Sequence, residues 1–368
     1  MTSRLIRNTT LVAIAALVVA ACATREVDYQ GEGEGVVGQG APVQAPLETP
    51  SVGTAGEDAA DDPAIWASAT PVRIGGVETP GFVAGTDKKA GLYIYGLDGK
   101  ILQFLPEGLL NNVDVVEGLS VGGRPQVVLG ASDRTPGRTG ISLYLFDPAG
   151  EGDNAVRPWG RIATDVVEPY GFCFARRGAE VHAVLVGHEG ELRQFVLTVG
   201  ADGQPVSREV RRAEIGSISE GCAADEASGS LFIGEENVGL WRYDLDPATG
   251  DRRTLIQPIA PGVIVADLEG LTVLHDGDAR YLIGSSQGDS TFPVWRIDGP
   301  APVLKGRFVV TDGAVDGITG TDGLDALGGP VGEAFPEGVV VIQDDVNDVG
   351  TQNFKYVDWR DIRAALNL

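Results

Sequence analysis

The sequence predicts an all-β fold, a six-bladed β-propeller, on three observations. These are a turn-rich composition, two independent registers that recur about every 50 residues, and a repeat count that takes up most of the chain. Of 368 residues, 52 are glycine and 21 proline, against 7% aromatics, which favours many short elements over long helices. With 43% hydrophobic residues the chain can bury a sizeable core. The first register is a polar residue opening a short apolar strand: Asp62, Asp114, Tyr170, Glu220, Glu269 and Asp322. Glycine follows in Tyr170-Gly171, Glu220-Gly221, Glu269-Gly270 and Asp322-Gly323. The second register sets leucine three residues before an aromatic, at Leu92/Tyr95, Leu143/Phe146, Leu192/Phe195 and Leu240/Tyr243, with Val294/Ile297 as a weaker fifth. Between them run β-rich stretches such as Gln126 to Leu129 and Ser230 to Ile233, so each unit has the four-strand plan of a blade. The ring must be closed by an N-terminal strand, because an open propeller exposes two sheet edges. A solenoid of the same period is the rival architecture.

The chain start reads as an export signal. Arg4 and Arg7 precede an uncharged stretch, Leu11 to Ala21, too short to span a membrane as a helix. It ends in Val19-Ala20-Ala21-Cys22, which resembles a bacterial lipobox, with Cys22 as the lipidated first residue of the mature protein. Ala23 in the next position resembles the pattern of lipoproteins sent to the outer membrane. The expected organisation is a signal at 1–21, a flexible Gly/Pro-rich tether at 22–50 and a propeller at 51–368. Cys173 and Cys222 lie in apolar strand-like runs and read as buried thiols rather than a disulfide.

Lys+Arg 28 against Asp+Glu 52 gives a net charge of −24, which repels nucleic acid and anionic lipid. The chain is expected to meet a membrane only through its anchor and to be a monomer. Three histidines and three cysteines are too few for a zinc cluster or a disulfide framework, so any metal must be held by oxygen. Equivalent positions of successive blades form rings of side chains, and the first register is one such ring. A second follows the second strand of each unit: Lys88, Arg134, His188, Glu236, Gln287 and Asp345. Carboxylates crowded at one mouth raise one another's pKa unless cations intervene. Oxygen ligands in flexible loops suit Ca²⁺ better than Mg²⁺ or Zn²⁺. With calcium, the neighbouring Lys88, Lys89 and Arg134 suit a multiply charged phosphate ligand.

Several segments then carry a resemblance. Asp61-Asp62-Pro63-Ala64-Ile65-Trp66, Gly85-Thr86-Asp87-Lys88-Lys89-Ala90-Gly91-Leu92, Leu110-Asn111-Asn112-Val113-Asp114 and Asp267-Leu268-Glu269-Gly270-Leu271-Thr272 resemble signature segments of the β-propeller phytases. So do Tyr170-Gly171-Phe172, Ser219-Glu220-Gly221, Ser285-Ser286-Gln287-Gly288 and Gln352-Asn353-Phe354-Lys355. The resemblance spans about residues 53 to 362. It implies an alkaline, calcium-dependent 3-phytase, a phosphoric monoester hydrolase that uses several Ca²⁺ ions and takes phytate as its calcium salt. It further implies that Asp61, Asp62, Glu220, Glu236, Asp267, Glu269 and Asp322 hold calcium or the attacking water, with Gln287 and Asp316 also at metal positions. Lys88, Lys89, Arg134 and Tyr170 would contact phosphate, and Glu220, Asp267, Glu269, Lys88 and Arg134 would carry catalysis. Asp58, Asp114, Asn347 and Asn353 resemble supporting or structural-calcium positions.

His188 is a departure, standing among the substrate-binding positions where the family pattern has lysine. An ordinary imidazole is only partly charged at neutral pH, so the phosphate grip there is weakened. Gly284-Ser285-Ser286-Gln287-Gly288 fits the nucleophile-elbow expression of a serine esterase, but that motif needs a following helix and a histidine partner. A calcium-dependent propeller lactonase would also use acids at a channel mouth, and a non-catalytic lipoprotein scaffold would share the same fold and anchor. The cation trio argues against a neutral lactone.

Overall fold

The computed structural model describes residues 36–55, 58–152 and 154–368. The signal at 1–21, Cys22 and residues 23–35 of the tether lie outside the described residues. Among the described residues six sheets, antiparallel but for one added N-terminal strand, follow one another along the chain, and the ring closes. Gly323 N donates to Asp61 O at 3.0 Å and Ile65 N to Asp325 Oδ2 at 2.8 Å, joining the sixth blade to the first and excluding a solenoid. Blades 1 to 5 occupy residues 60–105, 110–163, 169–214, 219–258 and 268–311. Blade 6 takes Leu324–Gly328, Gly338–Asp344 and Asn353–Asp358, and its outer strand is the N-terminal Leu47–Glu48, paired antiparallel with Asn353–Asp358. Closure by an N-terminal strand is therefore as expected.

A second N-terminal strand, Ala41–Gln44, runs parallel to Val303–Thr311 as a fifth strand of blade 5. Residues 41–48 thus belong to the propeller, ahead of the boundary expected at 51. The chain end is fastened beside them. Asp358 caps the helix Trp359–Leu366, and the buried Trp359 donates its indole N–H to Asp276 Oδ2 at 3.1 Å.

The Leu/aromatic register marks the third strand of each of the first five blades. Residues three apart on a strand point to opposite faces, so the pair binds both neighbouring blades. Leu92 packs with Val127 and Leu129 of blade 2, while Tyr95 packs with Phe354 and Tyr356 of blade 6. Leu143 faces Val181 and Leu185 of blade 3, and Phe146 stands edge-on to Trp66 and Phe82 of blade 1. Leu240 and Tyr243 repeat this between blades 5 and 3. Losing a wholly buried ring such as Phe146 costs about 3–5 kcal/mol, so this register fixes the ring of blades.

Cys173 and Cys222 are joined in a disulfide, against the expectation of free thiols. Their separation of 49 residues is one blade repeat, which brings them onto neighbouring inner strands with Cα atoms 5.5 Å apart. A cross-link closing a loop of that length removes about 4 kcal/mol of chain entropy from the unfolded state. Replacing both cysteines by serine should therefore lower the urea midpoint by an amount corresponding to about 2–4 kcal/mol. An unchanged midpoint in the double variant would show that blades 3 and 4 do not depend on the bridge.

Candidate functional site

The site is built on a repeated irregularity. In blades 1 to 5 the inner strand carries one extra residue against the second strand at its opening, so that two residues oppose one, at Asp61-Asp62, Asn111-Asn112, Tyr170-Gly171, Glu220-Gly221 and Glu269-Gly270. Asp322-Gly323 stands at the same place directly ahead of the inner strand of blade 6. Such bulges release residues from the ladder and re-aim their side chains, here at the mouth of the axis. The following glycine is a steric requirement. A Cβ on Gly171 would lie 1.8 Å from Glu220 O, and one on Gly221 2.2 Å from Glu269 O, because each bulge presses against the next.

The first ring is accordingly Asp61, Asn111, Tyr170, Glu220, Glu269 and Asp322, and two expected members are corrected. Asp62 sits one residue further along, where Oδ2 accepts Val113 N of blade 2 at 3.0 Å. Asp114 lies deeper in the channel, where it accepts Phe174 N of blade 3 at 2.7 Å. Both join neighbouring inner strands. Burial, with Asp325 nearby, pushes the Asp114 carboxyl up to about 8.

The second ring has the expected membership. The N–H of Lys88, Arg134, His188, Glu236, Gln287 and Asp345 each donates to a carbonyl just ahead of its own inner strand, at 2.6–3.1 Å. The two rings meet in a carboxylate cluster, Glu220, Glu236 and Glu269, each offering an oxygen within 4.8 Å of the others. Lys88 Nζ stands beside it, 2.7 Å from Asp58 Oδ1, 3.1 Å from Asp61 Oδ1 and 3.0 Å from Asp322 Oδ2. Gln287 Nε2 donates to the other Asp322 oxygen at 2.7 Å.

Burial and mutual repulsion dominate the electrostatics. Burial and then Asp61 push the Glu220 carboxyl up to about 7. Burial and then Glu220 push Glu269 well above the usual carboxylate range. Asp322 is likewise raised by burial, with Lys88 opposing. Burial would lower the Lys88 ammonium, but Asp322, Asp61 and Asp58 outweigh it and hold the group charged. Burial and then Glu220 keep the Tyr170 hydroxyl protonated far above its ordinary value. Asp61 Oδ2 and Glu269 Oε2 are buried without a hydrogen-bond partner. Buried carboxylate oxygens in that state, with oxygen donors on every side, fit a hard divalent cation.

Other expected residues are distributed unevenly. Asp267 O accepts Gln287 N at 3.0 Å, which sets Asp267 on the rim beside Glu269. Lys89 is exposed at the edge, its N–H held by Asp87 Oδ1 at 3.1 Å. The Tyr170 and His188 rings meet edge to face at 5.2 Å. Asp316 is not brought into the rings; it pairs with the buried Lys355 Nζ at 2.6 Å, in a separate cluster with Asp344 and Glu48. Asn353 ties Glu48 and Thr49 to blade 6, and Asn347 braces its own loop at Val349 O. Ser285 and Ser286 end a strand and lead into a single 3-10 turn. Their hydroxyls donate to Thr321 O and to Val265 O and Asp289, so the esterase elbow is absent here.

Sequence reasoning missed the residues that orient the rings. Asn111 Nδ2 donates to Glu220 Oε1 at 2.9 Å, Gln343 Oε1 accepts Asp322 N at 2.7 Å, and Gln352 Oε1 accepts Ala59 N and Ala60 N. Glu235, next to Glu236, is held by Ser217 Oγ at 2.6 Å and Trp241 Nε1 at 2.7 Å. For Asn111 the signal was present, since it falls one blade repeat from Asp61. Gln343 and Gln352 are neutral, and Glu235 is hidden beside the equally acidic Glu236, so none of these three carries a pattern of its own.

Comparison with known proteins agrees with this geometry. The Phytase family profile matches residues 7–368. The chain is 34% identical over 333 residues to a 3-phytase of Bacillus subtilis (strain 168), covering 88% of this chain and 85% of that protein. A crystal structure of a protein of unknown function from Bacteroides thetaiotaomicron VPI-5482 superposes with a TM-score of 0.51 at 10% identity, covering 87% of this chain and 75% of the other, a likeness of fold alone. Two rings of acids and cations at a propeller mouth, in a sequence that the profile matches almost from end to end, make this chain a member of the phytase family.

Proposed function

We propose that the chain is a calcium-dependent phosphoric monoester hydrolase that releases phosphate from inositol hexakisphosphate, taken as its calcium salt. The observation that carries this reading is the buried Glu220, Glu236 and Glu269 cluster with Lys88 beside it, in a chain of the phytase family. Asp61, Glu220, Glu236, Asp267, Glu269 and Asp322 would hold the ions, Gln287 would orient Asp322, and Asp62 would support them from the neighbouring inner strand. Bound calcium would neutralise the acids, template phosphate oxygens and acidify water.

The chain's own groups supply the rest. Lys88, kept charged by three carboxylates, offers a fixed ammonium to a phosphoryl group, and Arg134 presents a planar donor across the mouth. Charge on the equatorial oxygens is spread over these cations, where positioning and electrostatics supply most of the rate. Tyr170 remains a hydroxyl donor throughout the neutral and alkaline range. A polyanion thus meets a net-negative protein only across a layer of cations. Export through residues 1–21 and anchoring at Cys22 are proposed alongside. Cys22→Ser should free the protein from the membrane fraction, whereas retention there would remove the anchor.

Glu220→Gln and Asp322→Asn each remove a charge at the mouth without touching blade packing. Each should lower kcat on calcium phytate by about a hundredfold, with the β-sheet circular dichroism spectrum retained. Wild-type rates in either variant would contradict the site.

Acid titration adds a second test. Glu220, at about 7 in the fold against an ordinary 4.5, keeps its proton when the unfolded chain has lost it. Stability of the calcium-free protein must then fall as pH rises between those two values, and the raised Asp114 carboxyl extends the fall toward pH 8. In EGTA the thermal midpoint should therefore be lower at pH 8 than at pH 5. Calcium should restore it most at pH 8, by about 2.7 kcal/mol per site at a hundredfold excess over Kd. A midpoint in EGTA that rises with pH, or that ignores calcium, would count against a cation site here.

A further inference from the structure

The cations at the mouth are paired in two different ways. Lys88 is locked: its side chain is 6% exposed, and two of its partners, Asp61 and Asp322, are 1% and 8% exposed. Arg134 and His188, on blades 2 and 3, pair with acids that are free to move. Arg134 Nη1 lies 3.4 Å from Glu168 Oε1, and the Glu168 side chain is 45% exposed. His188 Nδ1 lies 3.1 Å from Glu189 Oε1, and that side chain is 81% exposed. The Glu168 carbonyl accepts His188 N at 3.0 Å, which holds this residue at the rim within reach of Arg134 and next to the His188 backbone. Neither Glu168 nor Glu189 belongs to the carboxylate cluster.

Resting on the phosphate-binding reading of this mouth, we propose that Glu168 is an affinity-setting competitor: its carboxylate occupies the face of Arg134 that a substrate phosphate must take, and binding requires it to swing into solvent. Glu189 does the same at His188 to a smaller degree, being more exposed. A carboxylate and a phosphate make the same kind of charge-assisted contact with a guanidinium. Exposed pairs of this kind are worth little, so the competitor is displaced readily by a substrate that is anchored at the mouth by several other phosphates, and poorly by one whose single phosphate must displace it unaided. Glu168 thereby biases the mouth toward densely phosphorylated substrates. It acts through Arg134 and is a positioning residue, so its signature is a change in KM with kcat preserved.

The test is Glu168→Gln, assayed on calcium phytate and on an inositol monophosphate at fixed free calcium. Glu151→Gln serves as a control, since Glu151 is an exposed acid in a loop at the far end of blade 2. Glu168→Gln should lower KM for phytate about two- to fivefold with kcat unchanged, lower it more for the monophosphate, and lose much of the effect at about 0.5 M salt. Glu151→Gln should leave both constants unchanged. An unchanged or raised KM in Glu168→Gln, or an equal fall in Glu151→Gln, overturns the proposal while leaving phytate hydrolysis intact. If the wild type releases no phosphate from phytate, the reading of the mouth fails separately, and calorimetric binding of phytate to both proteins then decides. Tighter binding by Glu168→Gln supports the competitor role, and equal, weaker or absent binding ends it.

Discussion

The mutual repulsion of buried carboxylates around the propeller axis is the constraint on which the rest of this structure depends. Glu220, Glu269 and Asp322 are each driven toward the protonated state by burial and by one another. A fold that relied on local structure to hold them together would relieve that repulsion by moving apart. The ring prevents this, because Glu220 and Glu269 sit on bulges and Asp322 at the matching place ahead of blade 6, each pressed against the next, and separating any pair means separating two blades. The leucine and aromatic of each third strand resist that separation from the outside. Packing at the blade faces therefore supplies the free energy that keeps the mouth electrostatically strained and ready for cations.

Much of this was legible because a propeller converts sequence period into spatial coincidence. The second ring could be read residue for residue, since its members follow the second strand with no irregularity between. The first ring was blurred by the bulge, which offers two residues per blade for one position. In blades 3 to 6 glycine fills the second place and leaves no ambiguity, but blades 1 and 2 read Asp61-Asp62 and Asn111-Asn112. Choosing acids for charge then led to Asp62 and to Asp114, three residues beyond the equivalent position. Neutral Asn111 does belong in the ring, and it serves by donating to Glu220. The disulfide was missed for a related reason: Cys173 and Cys222 were weighed by their apolar surroundings, although their spacing of one repeat already placed them on adjacent inner strands.

Other features were not legible because they depend on what lies across the ring from the chain termini. Asp316 carries the same charge as the mouth acids and stands in a similar loop, yet an internal ammonium, Lys355, already neutralises it. Lys355 comes from the strand that pairs with Leu47–Glu48, and Glu48 is 3.8 Å from the same ammonium. Ring closure and charge neutralisation are thus one arrangement, in which the N-terminal strand brings both the missing sheet edge and a third acid. Residues 41–48 looked like tether because strands of four and two residues are too short to show an alternation of their own.

The division of the mouth cations into locked and releasable pairs follows from where the bulges put their acids. On the arc of blades 4 to 6 and blade 1, the opening of each inner strand supplies a carboxylate close to the axis, and Lys88 is drawn inward and buried among Asp58, Asp61 and Asp322. On the arc of blades 2 and 3 the bulges supply Asn111 and Tyr170, which carry no charge at neutral pH. Arg134 and His188 therefore find no carboxylate near the axis and turn instead to the exposed Glu168 and Glu189 at the rim. One half of the mouth is thereby fixed and anionic, suited to ions that stay. The other half carries the Arg134 guanidinium, only loosely neutralised, and suits a phosphate that must arrive and leave. Two uncharged residues in the first ring, set beside Arg134 and His188 in the second where blades 4 to 6 carry Glu236, Gln287 and Asp345, together produce that asymmetry.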